Sequence, residues 1–114
     1  MNFAEFKTSF PARSMFDKLG LIDYLQLVGS WVSLRAAITR FNDNVTSGRQ
    51  YPFAERVNEC GCSSGELVLL AAICFACDFA WLADELAHGT AWQRMQNLDP
   101  QMARCVAACI EQRD

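Results

Sequence analysis

Six cysteines stand in this 114-residue chain, and their spacing is where chemistry has to be looked for first. Cys60-Gly61-Cys62 and Cys74-x-x-Cys77 offer four thiols, with Cys105, Cys109 and a lone His88 in reserve. Zinc takes four tetrahedral Cys or His ligands, usually from two C-x2–4-C knuckles carried on loops. Here the first pair has one residue between its thiols, and the second lies inside an apolar run that reads as helix. Helical i, i+3 thiols chelate only where companion ligands converge on them, so no metal ligand is assigned. A Cys-ligated zinc accessory protein, using Cys60, Cys62, Cys74 and Cys77, stays as an alternative. As a redox motif, Cys74-x-x-Cys77 has the wrong context. A reactive dithiol sits at a helix N-terminus, where the dipole lowers the thiol pKa, whereas this pair falls about ten residues into its helix. Cys105 and Cys109 share a stripe with Met102, Val106 and Ile110, the expected buried face of a last helix, where cysteine acts as a small hydrophobe.

Catalysis otherwise lacks parts. A Cys–His or Ser–His dyad would have to use His88, and a histidine at the C-terminal end of a helix more often compensates the dipole. There is no Gly-rich phosphate loop, H-E-x-x-H or EF-hand loop. Glu55/Glu59 and Asp84/Glu85 are the carboxylate pairs that solvated helix faces supply routinely. The expectation is a protein that is not an enzyme, with no catalytic residues and no cofactor.

Charge narrows the partners. Residues 1–50 carry six basic and four acidic side chains, a balance of +2, while residues 51–114 carry four basic and nine acidic, a balance of −5. Phosphate binding needs clustered Lys and Arg, so nucleic acid is not expected as a direct partner. A helix-turn-helix reading would have to use the segment 90–98, which bears a single Arg94. The longest apolar stretch, Leu67 to Ala83, is seventeen residues interrupted by Asp78. A span needs about twenty, so no membrane partner is expected. The N-terminal residues lack the apolar core of a secretory signal, and four of the six cysteines fall in helical segments rather than a disulfide framework. A cytoplasmic bacterial or phage protein with free thiols is the expectation.

The elements that must position these residues are helices throughout. A 52% hydrophobic fraction with 20% charged residues is globular composition, enough for one domain over 1–114. Phe3, Phe6 and Phe10 mark an apolar stripe at the start; Pro11 opens and Gly20 closes a short helix near 12–19. An amphipathic helix is predicted over 21–42, with Leu27, Trp31, Val32 and Leu34 on its apolar face and Arg35 as the odd charge inside it. Residues 42–51 read as the longest loop. Pro52 begins a helix to about residue 60. Ser63 with Glu66, and Thr90 with Gln93, form capping-box patterns, and Asp99-Pro100 caps a last helix near 100–113.

The segment 64–88 is predicted as one long helix, apolar over about two-thirds of its circumference and therefore covered on several sides. Its remaining stripe is mixed: Cys74, Cys77, Asp78, Trp81, Asp84 and Glu85. Asp78 and Arg35, each an isolated charge in an apolar arc, are a candidate ion pair, since buried charges need partners. The fold expectation is all-α: a compact bundle of about five or six helices around one long buried central helix.

What such a scaffold does, by this reading, is bind another protein or protein complex. Three Trp, eight Phe and an Arg-over-Lys ratio of eight to two favour interface hot spots. The candidate partner-binding residues are Asp43, Arg49 and Tyr51 around the long loop, and Trp81, Asp84 and Glu85 on the mixed stripe. In overall build the chain is similar to the small helical proteins that phages and mobile elements use to block larger host complexes, including inhibitors of CRISPR effectors. That likeness of size and class implies an inhibitor of host defence. A homo-oligomeric structural protein, a homodimer with the Trp-bearing stripe between copies, is the alternative.

Overall fold

A computed structural model describes residues 1–44, 52–87, 89, 91–96 and 98–114, and among them every regular element is an α-helix. The first two are α1 (Phe3–Thr8) and α2 (Phe10–Lys18). Asn2 and Glu5 form a capping box on α1, and Ser9 caps α2 with Pro11 in its first turn. Past α2 the chain turns at Gly20, whose φ of 71° is the left-handed region open to glycine. Arg56 fills the space a side chain would take there: its Nη1 donates to the Leu19 carbonyl at 3.0 Å, and a Cβ on Gly20 would come within 2.4 Å of that nitrogen.

The predicted helix over 21–42 is two helices, α3 (Ile22–Leu27) and α4 (Trp31–Asn44). Val28 is extended, and Gly29 follows it before α4 begins. Ser30 and Ser33 then cap α4 reciprocally: Ser30 N–H donates to Ser33 Oγ at 2.9 Å, and Ser33 N–H to Ser30 Oγ at 3.1 Å. Lys7 Nζ donates to the Val28 carbonyl at 2.8 Å, satisfying a group that the break releases. The break also undoes the single apolar face. Trp31 and Leu34 are buried, but Leu27 is 86% and Val32 64% exposed.

After α5 (Pro52–Glu59) comes the largest departure from expectation. The segment 64–88 is not one helix but α6 (Ser64–Ala76) and α7 (Ala80–Ala87). The predicted Ser63/Glu66 capping box opens α6. Its C-terminus is a Schellman turn, with Phe79 N–H donating to the Cys74 carbonyl at 2.8 Å and Asp78 N–H to Phe75 at 3.1 Å. Asp78 is the left-handed residue, with φ 74°, and it is exposed. A short carboxylate is tolerated in that conformation, where most side chains are not.

The chain closes with α8 (Ala91–Met95) and α9 (Pro100–Glu111), the latter capped by Asp99 as predicted. Thr90, half of the other expected cap, lies outside the described residues, as does His88. The closest packing is around α6, which meets α2, α7, α8 and α9. At the other end, Trp31 sits against Phe6 and Phe3, ring centroids 4.7 and 5.0 Å away, and its indole N–H donates to the Arg113 carbonyl. The Phe53 and Phe79 rings pack at a tilt, with centroids 4.8 Å apart. The buried apolar side chains form one contiguous core running from Phe3 to Cys109.

Candidate functional site: an apolar groove between α6, α7 and α9

Breaking the 64–88 segment lets α7 fold back on α6, and the two meet beside α9. A groove of about 360 Å³ runs between them. Val68, Ala72 and Phe75 line it from α6, Ala83 and Asp84 from α7, Ile110 from α9. Alanines at these positions leave unfilled the space that Leu or Ile would occupy. Phe75 is 44% exposed and Ile110 54%, although both were expected on buried faces. An apolar helix pair that leaves a phenylalanine and an isoleucine to water is a candidate contact surface.

Electrostatically the groove is nearly neutral inside. Asp84 is the single ionisable lining residue among the described residues. Its neighbour Glu85 is exposed on the same helix, as is Trp81, at 45%. The structure therefore brings three of the sequence-derived candidates, Trp81, Asp84 and Glu85, onto α7, with Asp84 in the groove itself. Asp43 is exposed near the end of α4, inside a helix rather than in the loop expected to begin at residue 42. Arg49 and Tyr51 lie outside the described residues.

Two members of the expected open stripe are not open. Cys74 and Cys77 are fully buried, together with Cys105 and Cys109. Removal from water pushes all four thiols up, Cys77 to about 12 against a small opposing pull from Arg35. Thiolate is the metal-binding and nucleophilic form, so these four are core groups with little chemistry at neutral pH. Among the described residues no three Cys, His, Asp or Glu side chains converge as a metal set. The Arg35–Asp78 pair does not form either. Asp78 faces water at the α6 terminus, and Arg35 donates to Gln112 Oε1 at 3.3 Å.

A larger depression, of about 630 Å³, opens between α2 and α3. Its lining is mixed, with Thr8, Arg13, Ser14, Asp17 and Gln26 beside Ile22 and an exposed Phe10. Its five polar side chains are solvated when the depression is open. The smaller groove gains more from being covered, because its surface is apolar. Phe75 escaped the sequence reading because α6 is apolar on nearly every face, so its pattern does not say which face a neighbour leaves bare; Ile110 shares the apolar stripe of α9, and only the placed neighbours show that this end of it is uncovered. Compared with known proteins, the chain matches no family model, no curated protein and no solved structure.

Proposed function

We propose that this chain is a non-enzymatic module that binds another protein through the groove between α6, α7 and α9. The observation that carries the reading is the exposure of Phe75 and Ile110 beside a row of alanines, with Asp84 at its side. The groove falls in the size range of small-ligand sites, but those carry several converging polar groups to orient what they bind. Among the described residues this lining has one charged side chain, Asp84, set among alanines and larger apolar groups. It suits the apolar side chains of a protein segment, packed as hot spots in a desolvated pocket.

The occupant we assign is an apolar segment with a basic residue, from a different protein. Asp84 and Glu85 supply the matching negative charge, within a half of the chain that carries −5. A second copy of this chain would bring two faces of the same sign together, which disfavours the homodimer. The class of partner that the chain's build suggests is a larger bacterial complex of host defence, such as a CRISPR effector, blocked by occupation of one of its surfaces.

A photo-crosslinking residue placed at position 75 or 110 in cells of the native source should trap one discrete partner. The same residue at position 27 or 32, more exposed still but distant in sequence and on other helices, should not. Equal trapping from all four positions, or none from 75 and 110, would remove the groove from the account. Light scattering on the pure protein should give a monomer; a dimer abolished by Phe75→Asp would replace the occupant with a second copy. Expression in a CRISPR-immune strain should restore phage plaques. Unchanged immunity would remove that class of partner while leaving the groove in place.

A further inference from the structure

The turn between α5 and α6 holds two thiols, reached by solvent, that the binding reading leaves unused. Cys60 and Cys62 place their sulfurs 3.3 Å apart, with the Cys62 S–H donating to Cys60 Sγ and lying 3.6 Å from the Cys60 carbonyl oxygen. Both side chains are half-buried, so solvent reaches them, whereas the other four cysteines are sealed in the core. The intervening Gly61 is exposed, and a side chain there would meet nothing within 4 Å. α5 ends at Glu59 and α6 starts at Ser64, so the pair lies outside both helices. Drawing the sulfurs together therefore moves a glycine turn and not a helical segment.

We propose that Cys60 and Cys62 are a reversible dithiol–disulfide site whose co-reactant is a small-molecule disulfide of the glutathione type. In the first step Cys60, having lost its proton to solvent, attacks one sulfur of glutathione disulfide. That S–S bond breaks, and one glutathione leaves as thiolate and takes up a proton. Cys62 then loses its proton, its sulfur attacks the Cys60 sulfur of the mixed disulfide, and the second glutathione leaves. Two protein thiols are oxidised to one disulfide, and one glutathione disulfide is reduced to two glutathione molecules.

Cys60 takes the first attack because its sulfur is the acceptor of the thiol–thiol hydrogen bond, while Cys62 holds its proton toward it. Burial, then the bond to Cys60, pushes the Cys62 thiol up to about 12; Glu66 adds to this, and Lys18 opposes it weakly. The second step needs the Cys62 thiolate, so it accelerates with pH as the thiolate fraction grows. A disulfide closed across a single residue is a small, strained ring, and strained exposed disulfides are the readily reduced ones. The site accordingly reopens in excess reduced glutathione.

The full chain is treated with glutathione disulfide under native conditions, quenched with acid, alkylated and mapped by mass. The expected product has lost two hydrogens, with the bond within the Cys60–Gly61–Cys62 peptide, and excess reduced glutathione restores the starting mass. Cys62→Ser should stop at a glutathione adduct on Cys60, and Cys60→Ser should give no disulfide. In the wild type the resolving step should quicken by about tenfold per pH unit near neutrality. An unreacted wild type, a wild-type adduct that never resolves, or a disulfide involving Cys74, Cys77, Cys105 or Cys109 would each overturn the proposal. Melting curves of both serine variants, expected to match the wild type, separate chemistry from unfolding.

Discussion

At Asp78 the backbone takes a conformation that costs most side chains about 1–2 kcal/mol. Its carboxylate is exposed and has no part in the core. Asp78→Gly should therefore raise stability by about 0.5–1 kcal/mol, the left-handed strain relieved less the extra freedom gained by the unfolded chain. A chemical-denaturation midpoint measures this; a loss of several kcal/mol would mean that Asp78 has a buried partner after all. Gly20→Ala should do the opposite, costing about 1–2 kcal/mol through its positive φ and by displacing Arg56 from the Leu19 carbonyl. The Lys18–Glu66 ion pair sets a pH dependence. Its hydrogen bond holds the Glu66 carboxyl below, and the Lys18 ammonium above, their ordinary values. Glu66 thus contributes stability above the ordinary carboxylate range and loses it as pH falls through its lowered folded value. Lys18 contributes below its ordinary value and loses it as pH rises through the raised one. Glu66→Gln, which can still close the capping box, should flatten the acid side of a plot of melting temperature against pH, with an effect kept small by solvent screening.

Among the elements, those with a chemical stop or start were legible in the sequence. Pro11 and Gly20, Pro52, Ser63 with Glu66, and Asp99 with Pro100 each mark a helix end where one is found. The two breaks were not legible. At 28–30 the signal was a single glycine, which a long amphipathic pattern outweighed. The break depends on Lys7 reaching a carbonyl twenty-one residues away and on Ser33 capping Ser30, contacts that exist only once the chain has folded. At 77–79 no glycine or proline marks the turn, since Asp78 takes the left-handed position itself. A helix wheel drawn through that turn loses its phase, which is why Cys77 was placed on an open stripe and is buried. The C-terminal residues supply a cap that sequence spacing hides as well. Asp114 Oδ1 accepts the Trp31 N–H at 3.1 Å, at the first turn of α4. Asp114→Ala should cost about 1 kcal/mol, the usual loss for an N-cap partner, and native-state hydrogen exchange should show it as faster exchange in the first turn of α4. Unchanged exchange there would show the bond to be worth nothing in solution.

For the molecule as a whole, the core and the candidate surface are two results of one composition. Alanines and cysteines in α6 and α9 let the helices approach closely, and the same small side chains, where no helix covers them, leave the groove. Of the site, the sequence indicated the α7 residues Trp81, Asp84 and Glu85 by their mixed character, and missed Phe75 and Ile110 because an exposed apolar residue looks like core until its neighbours are placed. The charge division between the halves of the chain, +2 against −5, then bears on which partners can approach. The most direct test of the binding account measures affinity for the crosslinked partner with Phe75→Asp and, as a control, Leu27→Asp. Both residues are exposed, so both variants should melt as the wild type does. Phe75→Asp should weaken binding by about a hundredfold, the loss of a central hot spot, and Leu27→Asp should leave it unchanged. Equal affinity of the two variants, in proteins that melt alike, would contradict it.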